Sequence, residues 1–117
     1  MHELALARAI LATALDRAEG RRVRSVEVTV GALRQVVPSS LAFNFDVLAG
    51  AAGCEGATLE LQMEPARLRC ACGAEWELEE MSFVCPRCSG GQTRVIAGEE
   101  LRVESIEVEE EPCTAPR

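Results

Sequence analysis

Four of the six cysteines in this chain of 117 residues fall into two close pairs, and their spacing constrains the fold more than any other feature. Cys70 and Cys72 form a C-x-C pair, Cys85 and Cys88 form a C-x₂-C pair, and twelve residues separate the pairs. A hairpin with this spacing can bring four thiolates to the corners of a tetrahedron, which is the geometry that Zn²⁺ prefers. The sequence therefore predicts a zinc-ribbon-like segment that binds one Zn(II).

The chemistry of the predicted zinc site indicates a structural ion. Four cysteine ligands leave no coordination position for a substrate water, so we expect no enzymatic activity at this site. A redox switch, in which oxidation expels the zinc, is the alternative. Cys54 and Cys113 lie far from both pairs, and we interpret Cys54 as a packing residue and Cys113 as a thiol in the tail. Trp76 and Phe83 fall between the pairs and are expected to shield the cluster.

Charge and hydropathy exclude several classes of partner. The formal net charge is −7, and all basic residues are arginine. Acidic residues are concentrated near the C-terminus, at Glu99, Glu100, Glu104, Glu107, Glu109, Glu110 and Glu111. Nucleic-acid binding usually needs a basic face, so we expect no nucleic acid partner. The chain has neither a long apolar segment nor a signal peptide, which predicts a cytoplasmic protein that does not interact with a membrane.

The first half of the chain alternates between helical and extended periodicity. Apolar residues recur at helical spacing from Glu3 to Glu19, and Gly20 follows as a stop signal. A period of two residues then predicts a strand that ends at Gly31. A second helix is expected from Pro38, which suits a first helical position, to Gly50.

Two further strands flank the cysteine segment. Residues 58–64 alternate in the manner of a half-buried strand, and residues 101–108 do so with a change of phase that predicts a bulge near Ser105. The expected fold class is α+β, with two helices packed on a three-stranded sheet and a zinc-ribbon-like insert between the last two strands. We expect residues 1–64 and 99–109 to form one domain, residues 65–98 the zinc-binding domain, and residues 110–117 a disordered tail.

The N-terminus carries a second candidate metal site. The only histidine is residue 2, so the amine of Met1 and the amide and imidazole nitrogens of His2 can chelate one metal in a plane. This arrangement suits tetragonal Ni²⁺ or Cu²⁺ and does not suit tetrahedral zinc. A fourth donor is available from the backbone or carboxylate of Glu3, or from water. The alternative is that His2 is incidental and that Glu3 is present only because acids favour helix starts.

The order and spacing of the predicted helices, strands and cysteine pairs resemble those of the nickel metallochaperones of hydrogenase maturation, the HypA/HybF family. The resemblance covers nearly the whole chain, through MHELALA, VRSVEVTVGAL, VVPSSLAFNFDVL, the paired cysteines and LRVESIEVE. It implies transported Ni(II) at Met1, His2 and Glu3, and structural Zn(II) at Cys70, Cys72, Cys85 and Cys88. The family commonly has C-x₂-C at the first pair, whereas this chain has C-x-C, with Arg69 in place of the earlier cysteine.

The resemblance also implies partners. They are a nickel-handling GTPase of hydrogenase maturation, the large subunit of a NiFe hydrogenase, and in some organisms a urease accessory protein. The chain has no Walker A sequence, so GTP hydrolysis would belong to the partner. The alternative from another functional class is a zinc-ribbon adaptor for protein interactions, or a redox-sensitive scaffold, that transports no metal.

Overall fold

The computed structural model describes residues 2–78 and 82–112, with side chains through residue 109. The described residues form two helices, six strands and a single 3₁₀ turn (Ala32–Arg34), which follows the first strand. The elements are α1 (Glu3–Ala18), β1 (Arg21–Gly31), α2 (Pro38–Ala51), β2 (Thr58–Glu64), β3 (Arg67–Cys70), β4 (Glu75–Glu77), β5 (Thr93–Ala97) and β6 (Leu101–Pro112). No helix in these ranges is long and apolar enough to cross a membrane.

The main sheet has the strand order β2-β1-β6, with β1 parallel to β2 and antiparallel to β6. Because β1 is central and the helices pack on the sheet, its apolar side chains are fully buried, at Val23, Val26, Val28 and Val30. The expected fold class is thus confirmed: two helices cover a three-stranded sheet, and the cysteine segment is inserted before the last strand.

The core between the helices and the sheet is almost entirely aliphatic. Among the described residues Phe45 of α2 is the only buried aromatic side chain, and it belongs to the same core cluster as Ile10 of α1 and Leu41 of α2. Helix α1 ends where Glu19 and Gly20 adopt left-handed conformations, with φ of 51° and 87°. A glycine that follows the last helical turn tolerates this geometry without strain, which is why the predicted stop was correct.

The predicted irregularity in the last strand is confirmed. Glu27 pairs with Ser105, but the next residue of β1, Val28, pairs with Val103, so Glu104 is the extra residue of a bulge. The bulge accounts for the change of apolar phase along β6. It also lets the Glu104 carboxylate interact with the side chain of Arg102, at 2.8 Å, and this contact lowers the pKa of Glu104.

The last strand is longer than the sequence predicts. Residues 110–112 were expected to belong to a disordered tail, but β6 continues through Pro112. The reason is a partner that periodicity does not reveal: Arg21 and Arg22, at the start of β1, pair with Pro112 and Glu109. Ion pairs from Arg22 and Arg24 to Glu109, at 3.7 and 3.6 Å, add to this pairing. Residues 113–117, including Cys113, lie outside the described residues.

The insert has a sheet of its own, which the sequence analysis did not predict. Strand β3 lies between β4 and β5 and is antiparallel to both. Leu68 and Cys70 of β3 are buried, while Arg67 and Arg69 alternate with them and point to the opposite face. We refer to residues 65–98 as the cysteine module and to the face that carries Arg67 and Arg69 as its outer face.

The cysteine module joins the main sheet through a close backbone approach. A Cβ atom placed on Gly31, the last residue of β1, would lie 2.0 Å from the carbonyl oxygen of Gly98. Gly98 has a φ of 116°, and a Cβ atom there would lie 2.6 Å from the Cα of Ala66. Only glycine fits at either position, so the two ends of the module are packed directly against the end of β1.

Hydrogen bonds from the 3₁₀ turn reinforce this junction. The backbone N–H of Leu33 donates to the carbonyl of Gly98 at 2.8 Å. The Nε of Arg34 donates to the carbonyls of Glu99 and Glu100, at 3.0 and 3.2 Å. The segment that follows β1 therefore binds the chain where it returns from the module to β6.

Candidate metal centre

The fold brings the two cysteine pairs together. One sulfur atom from each of Cys70, Cys72, Cys85 and Cys88 lies within 4.8 Å of all the others. The Sγ atoms of Cys70 and Cys88 are 3.5 Å apart, and those of Cys72 and Cys85 are 3.7 Å apart. With Zn–S bonds of about 2.3 Å, a regular tetrahedron separates its sulfurs by about 3.8 Å, so the cluster has the size of a zinc site.

The first pair is positioned by the end of β3 and a tight turn. The N–H of Cys70 donates to the carbonyl of Ala74 at 2.9 Å, and the N–H of Gly73 donates to the carbonyl of Cys70 at 2.9 Å. Gly73 has a φ of 97°, which a residue with a side chain rarely adopts. This turn brings Cys72 back beside Cys70 with only one residue between them.

The second pair lies in a loop whose amides point at the sulfurs. The N–H groups of Arg87 and Cys88 donate to the Sγ of Cys85, at 3.4 and 3.5 Å. The N–H of Gly90 donates to the Sγ of Cys88 at 3.3 Å. Hydrogen bonds from backbone amides stabilise thiolates, and thiolates are the form of cysteine that binds metals.

The electrostatic environment makes the sulfurs unequal in the metal-free chain. Burial raises the pKa of Cys85, but the amides of Cys88 and Arg87, together with neighbouring sulfurs, outweigh it and bring the pKa to about 7. At Cys70 the amide of Cys72 lowers the pKa, but burial and the three other sulfurs raise the pKa to about 12. Four thiolates cannot share this space without a cation, which fits the donor set of a structural zinc site.

The shortened C-x-C spacing does not keep Cys70 out of the cluster. Its side chain is buried and its sulfur is in contact with that of Cys88. Arg69 points to the outer face, where its guanidinium forms an ion pair with Glu75 at 2.7 Å. The alternation of side chains along β3 thus separates the arginine from the sulfurs.

The remaining cysteines and aromatic residues have other positions. Cys54 is fully buried in the main core beside the end of α2, where its N–H donates to the carbonyl of Ala49. Trp76 lies opposite Leu68 on the inner face of the module sheet. Phe83 is 41% exposed, so it covers the module less completely than we expected.

The N-terminal candidate site lies at the start of α1. His2 is exposed, and its carbonyl accepts the first helical hydrogen bond, from the N–H of Leu6 at 3.0 Å. The N–H of a residue at this position has no acceptor within the helix, so the His2 amide is available. Met1, the other residue that would supply a nitrogen, lies outside the described residues.

Glu3 connects the N-terminal site to the second helix. Its Oε2 accepts a hydrogen bond from the N–H of Val37 at 3.0 Å. This bond, together with one from its own N–H, lowers the pKa of the Glu3 carboxyl. The contact with Val37 was not predicted, and no local pattern indicates it, because the two residues are 34 positions apart in the chain.

Comparison with known proteins gives a consistent result over the whole length. A family model described as "Hydrogenase/urease nickel incorporation, metallochaperone, hypA" matches residues 1–108. The chain is 36% identical over 115 residues to the hydrogenase maturation factor HypA of Dehalococcoides mccartyi, covering 95% of this chain and 97% of that protein. It is 38% identical over 113 residues to the HypA of Acidithiobacillus ferrooxidans, covering 93% and 100%.

Solved structures share the fold. The solution structure of the Ni metallochaperone HypA from Helicobacter pylori aligns with a TM-score of 0.65 at 22% identity, covering 92% of this chain and 97% of that one. A second solution structure of a HypA protein aligns with a TM-score of 0.64 at 21% identity, covering 95% and 98%. Both helices and the cysteine module therefore belong to an arrangement found in other proteins.

Proposed function

The chain belongs to the HypA family of nickel metallochaperones for hydrogenase maturation, and from this we propose that it carries Ni(II) on its N-terminus. In this proposal Met1, His2 and Glu3 hold the nickel, which is cargo. Met1 and His2 supply nitrogens, and Glu3 supplies a backbone donor while its carboxylate binds the N–H of Val37. Cys70, Cys72, Cys85 and Cys88 hold a structural Zn(II). The protein delivers the nickel to the large subunit of a NiFe hydrogenase and catalyses no reaction itself.

The observation that carries the proposal is the position of His2. The only histidine of the chain is exposed directly before α1, and its backbone N–H has no acceptor in the helix. The amide nitrogen and the imidazole of one residue can therefore bind the same ion. With the amine of Met1 they form two fused chelate rings, whose planar nitrogens favour Ni²⁺ over the zinc that the thiolates select.

The contact between Glu3 and Val37 supports a positioning role for the third residue. Because the Glu3 carboxylate already accepts the N–H of Val37, it anchors the start of α1 while the nitrogens of His2 remain exposed. The hydrogen bond restrains the first turn of α1 next to His2. Such support, here from a carboxylate that is not itself a nickel donor, usually strengthens metal binding by about tenfold or more.

The two sites suit two different metals and hold their ions for different times. A closed set of four thiolates holds zinc tightly and keeps the module folded. An exposed terminal chelate releases its ion more readily, because protonation of the amine and the imidazole competes with the metal. Separate sites allow nickel to leave while zinc stays.

We assign residues 1–64 and 99–109 to the nickel-binding domain and residues 65–98 to the zinc-binding domain. The partners that follow from the proposal are a nickel-handling GTPase, the hydrogenase large subunit and, where a urease is present, its accessory protein. We also propose that the protein acts in the cytoplasm, together with these partners.

Titration of the zinc-loaded protein with Ni²⁺ tests the proposal against the adaptor alternative. A metallochaperone takes up about one ion per chain while its zinc content stays constant. An adaptor takes up none. Uptake of nickel with release of an equal amount of zinc would place nickel at the cysteines and would contradict the proposal.

A further inference from the structure

We propose that the outer face of the cysteine module binds an acidic peptide segment of a partner protein, through Arg69 and Arg94. This site lies beside the zinc site, because Cys70 also lines its groove, and it does not depend on nickel transport.

Register places the two arginines side by side. Arg69 of β3 is the direct antiparallel partner of Arg94 of β5, so both side chains project from the outer face. Arg67 lies two positions before Arg69 on the same face. Like charges at directly opposed positions destabilise a sheet. An anion bound between Arg69 and Arg94 would convert this repulsion into attraction.

The two arginines are not equally neutralised. Arg69 donates from Nε and Nη2 to one oxygen of Glu75, at 3.0 and 2.7 Å, across the other edge of β3. Arg94 is exposed, and the ion pairs formed among the described residues do not include it. Its guanidinium therefore keeps its donors for a ligand, while Glu75 holds Arg69 in a fixed orientation beside it.

A groove of about 390 Å³ opens between these side chains. Arg69 and Arg94 form its walls, and Gln92 and the turn at Gly73 also line it. A Cβ atom built on Gly73 would have nothing within 4 Å, so the groove is open at this end. The free guanidinium of Arg94, the remaining Nη1 of Arg69 and the amide of Gln92 make a set of donors that suits carboxylates, which arginine binds with paired hydrogen bonds.

The pattern of charge on the face favours a short acidic peptide over a nucleic acid. Glu75 and Glu77 of β4 lie opposite Arg69 and Arg67, so one flank of the face is acidic. A continuous phosphate backbone that covered the face would meet these carboxylates. A peptide with one or two acidic side chains can occupy the arginine flank alone. The rest of this strongly acidic chain would repel such a peptide, so binding is confined to the module.

The test uses the zinc-loaded full chain and a short capped peptide of alternating Glu and Ser, carrying an uncharged dye, and follows fluorescence anisotropy. We expect saturable binding that weakens as salt is added. Arg94→Glu should weaken it by about tenfold, equivalent to about 1.4 kcal/mol, with unchanged zinc content. Arg94→Gln should produce a smaller loss. Arg8→Glu, with the same change of charge on the exposed surface of α1, should leave binding unchanged.

Three results would overturn the proposal. One is no saturable binding of the Glu-Ser peptide at low salt. Another is equal weakening by Arg8→Glu and Arg94→Glu, since the effect would then come from net charge. The third is equal affinity for a single-stranded DNA with the same number of charges, because the face would then not distinguish carboxylates from phosphates. A Lys-Ser peptide that fails to bind completes the expected pattern.

Discussion

The carboxylate of Glu3 accepts a hydrogen bond from the backbone N–H of Val37 at 3.0 Å, and it joins the first turn of α1 to the residue before α2. Val37 is the N-cap residue of α2, so its N–H has no acceptor within the helix, and this carboxylate supplies one. The contact also holds the residue next to His2 in place. The N-terminal chelate is thus supported by a part of the chain more than thirty residues away.

Substitution of Glu3 should separate positioning from direct ligation. Glu3→Gln keeps a side-chain oxygen that can accept the Val37 N–H, so we expect nickel affinity close to that of the unchanged protein. Glu3→Ala removes the acceptor and should weaken nickel binding by about tenfold. Isothermal titration of both variants measures the difference. Equal and complete loss in both variants would instead make the carboxylate itself a nickel ligand.

The junction between the main sheet and the cysteine module should not tolerate a side chain at Gly31. A Cβ atom there would lie 2.0 Å from the oxygen of Gly98, so Gly31→Ala should lower the free energy of unfolding by about 2 kcal/mol or more. Gly50→Ala in α2 is the matched control, since the nearest atom is 3.7 Å away and alanine favours helices. Chemical denaturation should show this control to be neutral or stabilising by about 0.5 kcal/mol. Equal stability of the two variants would contradict the close approach.

Loss of one cluster sulfur should remove zinc and unfold the module. Cys88→Ser is expected to lower zinc content well below one ion per chain, because metal binding and folding of such modules are coupled. Cys70→Ser should do the same, since the Cys70 sulfur lies 3.5 Å from that of Cys88. Cys113→Ser provides the matched control and should retain all of its zinc. Full zinc retention in Cys88→Ser, measured by atomic absorption, would refute the assignment.

Uptake of zinc by the metal-free protein should release protons, and more of them in mildly acidic solution. The Cys70 thiol, with a pKa raised to about 12, is protonated at every physiological pH and must lose its proton to bind. Cys85, with a pKa near 7, is mostly thiolate at about pH 8 and mostly thiol at about pH 6. Zinc affinity should therefore fall as the pH falls. Calorimetry in buffers of different ionisation enthalpy counts the protons released. A smaller number of protons at the lower pH would contradict the prediction.

Periodicity and turn residues predicted most of the main sheet because they report burial directly. The alternation through Val26, Val28 and Val30 matches a strand that is buried at those positions, and the change of phase in β6 matches the bulge at Glu104. Gly20 marks the end of α1 because glycine tolerates a left-handed conformation. Pro38 marks the start of α2 because the first helical residue does not need its backbone N–H. These features depend on a few neighbouring residues, which a sequence displays.

The sequence did not predict features that depend on distant partners. Strand β4 has three residues, too few to show a period, and it forms because β3 lies beside it. The extension of β6 to Pro112 depends on Arg21, and the role of Glu3 depends on Val37. The cluster of four sulfurs was predictable from the spacing of the cysteines. The position of the Arg69 side chain, away from the sulfurs, was not predictable, because it depends on the face of β3 from which the side chain projects.

Nickel binding by a His2→Ala variant tests the central claim most directly. The imidazole supplies one of three planar nitrogens, and the exposed His2 makes no contribution to the buried core. We predict that zinc-loaded His2→Ala retains its zinc and its circular dichroism spectrum but takes up no nickel in a calorimetric titration. One equivalent of nickel bound with undiminished affinity would contradict the terminal site.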